Sequence, residues 1–442
     1  MKPRPDLPPG PYLVVGLARS GVAAALALRS RDQTVIGVDG GEPPGLETLR
    51  QAGVELHLGE QGPSLLERVT TVVKSPGVPA ETPVIERARA RELCVLGELE
   101  LGWRLLANEF IAVTGTNGKT TTVELIGHIH RQAGEPVSVA GNVGAALSGL
   151  VGAVQENVTV VCETSSFQLE DTLEFAPEAA VLLNLTPDHL DRHGTLEAYL
   201  QAKLCVFAHQ GATDLAVAPI GFEPELPGAG RRVRFGEDPR AQLSLSGEAL
   251  CWEGEPLIDR GDLRLRGRHN LENAMAAAAV CLARGLDAEA VRAGLRSFAG
   301  VPHRLEEIAS RDGVLFVNDS KATNVASTLV ALEAMADERL PVHLILGGQG
   351  KGQDFTALGP AVRERCRAVY LIGEDAPAIA LALESSGVPL RECGELERAI
   401  AQASAAAEPG EVVLLSPGCA SFDQFADFEA RGERFRELVE RQ

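Results

Sequence analysis

The stretch FIAVTGTNGKTTTVELIGHI, residues 110–129, decides how this chain is read. Apolar, β-favouring residues run into a glycine-bearing loop. The loop passes through Lys119 and Thr120 into a segment of helical, amphipathic period. Strand, Gly-rich turn and helix N-terminus in that order make an anion cradle, because loop N–H groups and the positive end of the helix dipole converge. A lysine at Lys119 reaches β- and γ-phosphates, and the Thr120 hydroxyl can bind Mg2+. The spacing is a shortened phosphate loop, G-x-x-G-K-T, over Gly115, Thr116, Asn117, Gly118, Lys119 and Thr120, with Thr121 next in line. Val113 stands where the full-length pattern has its first glycine. A surface turn rich in Gly and Thr is the bland alternative, but it would not need this strand before it and this helix after it.

The same strand–loop–helix rhythm extends outward in both directions. YLVVG (12–16) is followed by the helical ARSGVAAALALRSR, then by TVIGVDGG, TVVKSPGVP and CVLGELEL, a first unit ending near Leu106. From Phe110 onward, VTVVCE (158–163) and AAVLLNL (179–185) add buried strands. Residues 214–268 are broken by Gly and Pro and read as an antiparallel edge sheet, before an alanine-rich helix that ends at Gly285. A third unit begins near Gly300 with four apolar strands, GVLFVNDS, PVHLILGGQG, AVYLIGED and EVVLLSPG. Such alternation predicts an α/β fold of mostly parallel sheets with helices on their faces. The expected units are 1–106, 107–299 and 300–442. Ligand chemistry is expected at the carboxyl ends of the strands.

Composition narrows the class. The 442 residues carry 41 Lys+Arg against 61 Asp+Glu, a net charge of −20. That balance disfavours nucleic acid or an anionic membrane as partner, since phosphate backbones need a basic stripe. Hydrophobic residues make up 45%, enough for several cores, and the longest apolar run, near Ala274–Ala283, falls short of the roughly 18 residues of a membrane span. The start, MKPRPDLPPG, has no apolar signal region. Eight scattered cysteines with no C-x-x-C read as buried thiols of a reducing compartment. A cytoplasmic protein is expected.

Several residues outside the phosphate loop carry possible chemistry. GLARSG (16–21) resembles a dinucleotide fingerprint with Ala18 at the middle glycine; a packing turn or a loop for another nucleotide fits it at least as well as NAD. Glu163 closes a strand beside the phosphate loop, where a carboxylate can hold Mg2+ directly or through water. His189 stands among Asp188, Asp191 and Arg192 in NLTPDHLDRHG. Lys203, in YLQAKLCVF, reads by spacing as a helix-surface lysine, and Asn270 and Asn273 read as helix caps. Arg304, Lys321 and Lys351 collect in or near strand-exit loops of an acidic chain and suggest an anionic substrate. Ser421 offers a hydroxyl near a helix start.

Taken together, GTNGKTT, ETSSFQLE, NLTPDHLDRHG, AKLCVF, HNLENAMAA, PHRLE, NDSKATN and SPGCASFDQF resemble the Mur ligases of peptidoglycan synthesis over nearly the whole chain. NDSKATN and SPGCASFDQF are most similar to the D-glutamate-adding branch. The resemblance implies a Rossmann-like N-terminal domain for a UDP-linked substrate, a central P-loop-type ATPase domain, and a Rossmann-like C-terminal domain for the incoming amino acid. It implies ATP and two Mg2+ ions, with UDP-N-acetylmuramoyl-L-alanine and D-glutamate as substrates of a monomer. Thr120, Glu163 and His189 would be metal ligands, joined by Lys203 as a carbamate. Lys119, His189, Lys203 and Lys321 would serve catalysis. Asn273, Arg304 and Asp319 would contact the nucleotide. Arg19, Ser20, Asp39, Asn142 and Gln168 would lie along the UDP-sugar, and Thr323, Lys351, Ser421 and Phe428 would hold D-glutamate. Gly40 and Gly41 follow Asp39 where better-known members carry a hydroxyl and an arginine. A folylpolyglutamate-type ligase, a P-loop kinase or nucleotide switch, and an NAD-dependent oxidoreductase are the other classes the motifs admit.

Overall fold

A computed structural model describes residues 2–441 except 61, 143, 266 and 338. The chain divides into two compact units, Met1–Asp262 with Glu272–Arg296, and Leu263–Leu271 with Ser297–Gln442.

The first unit holds two sheets. Strands β1 (Tyr12–Val15), β2 (Val35–Asp39), β3 (Glu55–Leu58), β4 (Thr71–Lys74) and β5 (Cys94–Gly97) form an all-parallel sheet in the order β3-β2-β1-β4-β5. Leu13, Val15, Ile36 and Val38 pack on one face, and Tyr12, Val14 and Val35 pack with helix Arg19–Arg29 on the other. Parallel strands covered on both faces read as continuous apolar runs, which is why YLVV and VIGV were recognisable. The order reverses between β1 and β4, so the crevice at their carboxyl ends opens beside Gly16 and Ser75.

The second sheet has nine strands: β6 (Phe110–Thr114), β7 (Val137–Gly141), β8 (Thr159–Glu163), β9 (Ala179–Leu182), β10 (Leu215–Pro219), β11 (Arg231–Gly236), β12 (Leu243–Ser246), β13 (Ala249–Trp252) and β14 (Glu255–Asp259). Their order is β14-β13-β12-β11-β10-β9-β6-β8-β7. β6 is flanked by β8 and β9, so the phosphate loop leaves the sheet from its interior. Among the described residues, antiparallel pairing in this sheet is confined to β12, β13 and β14, while β10 and β11 continue the parallel sheet. The segment expected as an antiparallel edge is therefore an extension of the main sheet, antiparallel only at its outer end.

The second unit holds β15 (Glu306–Arg311), β16 (Val314–Asn318), β17 (Val342–Gly347), β18 (Cys366–Ile372), β19 (Leu390–Gly394) and β20 (Val412–Leu415), in the order β15-β16-β20-β17-β18-β19. Among the described residues, only β15 runs antiparallel in this sheet. Four strands lie outside the sequence reading: β3, β7, β15 and β19. All four are sheet edges with partly exposed residues, so no buried run marks them. Among the described residues, no helix is long and apolar enough to cross a membrane.

Candidate functional site

The phosphate loop is built as its residues dictate. Gly118 sits at φ 82° immediately before helix Lys119–Gln132, and a Cβ there would fall 2.1 Å from Asn273 Oδ1. Only glycine tolerates that approach, and it places the Asn273 side chain directly against the loop. Asn273 is thus a loop contact, not the helix cap that spacing suggested. Lys119 Nζ donates to the carbonyls of Gly115 (3.0 Å) and Thr116 (2.8 Å). The N–H groups of Thr116 and Asn117 both donate to Asn184 Oδ1, at 3.1 and 2.9 Å. Asn184, just beyond β9, therefore supplies an acceptor to amides of the kind that cradle an anion. Sequence reading passed over it, although it is the first polar residue after AAVLL.

Glu163 is brought to the loop by the β6–β8 pairing, which sets Val113 opposite Glu163. Its Oε2 accepts from Thr120 Oγ1 at 2.8 Å and its Oε1 from Asn142 Nδ2 at 3.1 Å, and both Glu163 and Thr120 are buried. A hydroxyl and a carboxylate side by side are hard oxygen donors that fit Mg2+. His189 begins the short helix Leu190–His193 from left-handed backbone. It has φ 52°, its Nε2 lies 3.5 Å from Asp188 Oδ2, and its ring centre is 4.9 Å from that of Phe167. Among the described residues, no three His, Cys, Asp or Glu converge as a metal site.

Lys203 overturns the surface reading. Helix Leu196–Ala208 also buries Tyr199, Leu200, Leu204, Val206 and Phe207, leaving Lys203 only 1% exposed. Its Nζ donates to the Gly115 carbonyl at 2.7 Å and sits 4.2 Å from the centre of the Tyr199 ring. Burial, then the Lys119 charge, pushes its pKa down to about 7, against the pull of Asp188. A neutral amine is what carbamylation by CO2 requires.

The residues expected along the UDP-sugar fall into three groups. Arg19 opens helix Arg19–Arg29 with Ser20 beside it, and its guanidinium donates to the Asn142 carbonyl at 3.3 Å. Asn142 in turn holds Glu163, so Arg19, Asn142, Glu163 and Thr120 form one chain of contacts. Asp39 accepts from the Leu17 N–H (2.6 Å) and the Gly41 N–H (2.9 Å), bracing the Gly16 loop. Gln168 is buried, and its Oε1 accepts from the N–H and hydroxyl of Ser165 in a capping box for the short helix Ser166–Leu169.

In the second unit, Asp319 is buried and accepts from the Leu305 N–H (3.2 Å) and Ser416 Oγ (2.8 Å). Burial raises its pKa to about 7, opposed by those hydrogen bonds and by Arg304 and Arg431. His303 (φ 62°) and Leu305 (φ 45°) flank Arg304 in left-handed backbone. Lys321 Nζ lies 5.7 Å from the Phe428 ring centre, and Lys351 Nζ lies 5.4 Å from that of Phe422. Ser421 is buried and Thr323 half-buried. Arg431, which sequence reading missed, is buried. It donates to Ser320 Oγ (2.9 Å), the Ser320 carbonyl (2.8 Å) and the Cys419 carbonyl (3.1 Å). It joins the NDSKATN loop to the SPGCAS loop. An arginine on an amphipathic helix gives no such signal in sequence.

Three family models cover most of the chain: a Mur ligase MurD-like N-terminal domain over residues 11–97, a Mur ligase middle domain over 113–281, and a Mur ligase glutamate ligase domain over 303–419. The UDP-N-acetylmuramoylalanine–D-glutamate ligase of Acidobacterium capsulatum is 42% identical, covering 97% of this chain and 95% of that one. The chain belongs to the Mur ligase family. The protein of the same name from Pelotomaculum thermopropionicum is 40% identical over 97% of this chain and 96% of its own. Among solved Mur ligase structures, UDP-N-acetylmuramate–alanine ligase of Thermotoga maritima has a TM-score of 0.57 at 20% identity, covering 98% of this chain and 99% of that one. The MurF ligase of Thermotoga maritima has a TM-score of 0.58 at 17% identity, covering 92% of this chain and 96% of that one. These two share the Mur ligase fold.

Proposed function

We propose that this chain joins D-glutamate to UDP-N-acetylmuramoyl-L-alanine at the expense of ATP, in the cytoplasmic stage of peptidoglycan synthesis. The observation that carries the reading is end-to-end similarity, at 42% identity, to a UDP-N-acetylmuramoylalanine–D-glutamate ligase. Residues 1–106 bind the UDP-sugar, 107–299 the ATP and 300–442 the D-glutamate of a monomeric enzyme.

A carboxylate is a poor acyl donor, so the terminal L-alanine carboxylate first takes the γ-phosphoryl group of ATP. ADP leaves and an acyl phosphate remains. The neutral amine of D-glutamate then attacks the acyl carbon, and the tetrahedral intermediate collapses to an amide with loss of phosphate. Repulsion among three anionic reactants is the main obstacle, and preorganised cations offset it. Loop amides of Gly115–Gly118 and the helix start at Thr120 and Thr121 cradle the phosphates, while Lys119 swings from its loop carbonyls to them. Asn273, Arg304 and Asp319 hold the nucleotide. Arg19, Ser20, Asp39, Asn142 and Gln168 orient the UDP-sugar. Thr323, Lys351, Ser421 and Phe428 hold D-glutamate, with Lys321 beside the reacting carboxylate. Thr120, Glu163, His189 and carbamylated Lys203 would hold two Mg2+ ions, which would supply charge neutralisation at the transferring phosphoryl group.

Phosphate release with UDP-N-acetylmuramoyl-L-alanine and ATP tests this across a panel of amino acids. D-Glutamate should support turnover, and L-glutamate, D-alanine, L-alanine and meso-diaminopimelate should not. Preference for any of the others would overturn the acceptor assignment.

A further inference from the structure

Arg192 lies three residues after His189, in the short helix Leu190–His193, and takes no part in the chemistry above. Its guanidinium does three things at once. One nitrogen donates to the Pro76 carbonyl at 3.2 Å, the other pairs with Glu170, and the planar group lies 4.0 Å from the Phe167 ring centre. These partners belong to different structures. Pro76 follows β4 of the five-stranded sheet, while Phe167 and Glu170 belong to and follow the short helix Ser166–Leu169 of the nine-stranded sheet.

The contacts continue on both sides. Next to Pro76, Ser75 Oγ donates to the Gly16 carbonyl at 2.7 Å, so Pro76 is tied to the loop that carries Arg19 and Ser20. Glu170 also lies 3.8 Å from Lys74, a buried lysine whose Nζ donates to Asp171. On the other side, Phe167 is the ring against which His189 lies, and His193 stacks on it with ring centres 5.3 Å apart at 13°. His193 Nε2 is within 2.9 Å of Ser166 Oγ. The segment bearing His189 is thus clasped to helix Ser166–Leu169, and Arg192 also ties it to the first sheet.

We propose that Arg192 is a positioning residue. It couples the Gly16–Pro76 side, where the UDP-sugar binds, to the placement of His189 on the nucleotide side, so that occupancy of one site favours the other. This rests on the functional reading above. The Arg192–Glu170 pair is part-buried, and a pair that merely glued the sheets would not need a guanidinium. Lysine can meet Glu170 as a point charge, but it has no second nitrogen to reach Pro76 and no planar cation to set over Phe167. Coupling between sites is reciprocal, so it can be read from either ligand.

The test uses Arg192→Ala, Arg192→Lys and Glu170→Ala in the full chain. In the free protein, amide hydrogen exchange over residues 189–195 should quicken at least tenfold in Arg192→Ala, with Arg192→Lys intermediate. In kinetics, Arg192→Ala should lower kcat at least tenfold and raise the KM for UDP-N-acetylmuramoyl-L-alanine at least fivefold, with the ATP KM within twofold. Calorimetric titration of Mg-ADP, with and without the UDP-sugar, should show a difference in affinity in the wild type that Arg192→Ala loses. Unchanged exchange, equal coupling in wild type and Arg192→Ala, or wild-type kinetics in Arg192→Ala would each overturn the proposal. If Arg192→Ala does not fold, Arg192→Lys and Glu170→Ala decide by the same measurements. If the wild type fails to bind UDP-N-acetylmuramoyl-L-alanine, the functional reading fails, and the exchange measurement still decides whether Arg192 holds the His189 segment.

Discussion

The Nζ of Lys203 and the carbonyl oxygen of Gly115 lie 2.7 Å apart, so a buried amine closes on the first residue of the phosphate loop. Burial and the neighbouring Lys119 bring that amine to about pKa 7, from 10.5 in an open chain. Near neutral pH a sizeable fraction is therefore unprotonated and can add CO2, releasing a proton to form the carbamate. Carbon-13 bicarbonate should give a carbamate resonance in the wild type that grows as pH rises through about 7 and is missing in Lys203→Ala. An equal resonance in both proteins would remove Lys203 from this role. The sign of the stability effect follows as well. Between about 7 and 10.5 the unfolded chain binds the extra proton, so in CO2-free buffer the Lys203 contribution to stability rises with pH.

Lys119 bonds to the loop carbonyls of Gly115 and Thr116 in the free structure. Lys119→Ala should lower kcat by at least ~10²-fold, the usual scale for a charge lost from a transferring phosphoryl group. The fold should survive, as read by circular dichroism. Turnover near wild type would take the loop out of the chemistry.

Glu163 accepts from both Thr120 and Asn142. Glu163→Gln keeps the shape and removes the charge that a hard cation needs. The Mg2+ concentration for half-maximal rate should rise at least ~10-fold, with the thermal midpoint changed little. An unchanged Mg2+ dependence would contradict the assignment.

Asp319 is raised to about pKa 7 by burial, from 3.8 in an open chain. Its folded form holds a proton more tightly than the unfolded chain. The stability it contributes is present below about pH 4 and is lost as pH rises through about 7. Thermal melts of the free protein should therefore show a fall between those pH values that Asp319→Asn does not share. Parallel pH profiles would show that the carboxylate titrates normally.

Lys351 adopts φ 53° in the loop after β17 and presents its amine 5.4 Å from the Phe422 ring centre. Lys351→Ala should raise the KM for D-glutamate more than ~10-fold while leaving the ATP KM nearly unchanged, since it would strand an acceptor carboxylate without its cation. Equal effects on both constants would place Lys351 elsewhere in the reaction.

Residues 110–129 determined a great deal without tertiary help, because a phosphate loop is contiguous. Its strand, its glycines, Lys119 and Thr120 follow one another in the chain. The buried parallel strands were equally readable, since coverage on both faces leaves an unbroken apolar run. β3, β7, β15 and β19 were not, because an edge strand keeps part of its surface in water and loses that run. The character of Lys203 could come only from the fold. Its partner Gly115 is 88 residues away, and the burial that lowers its pKa comes from packing around it. The same holds for Asn184 beneath the loop amides, Asn273 against Gly118, and Arg431 between two strand-exit loops. Each is an ordinary polar residue in sequence, and its role depends on which distant backbone groups the fold leaves needing a partner.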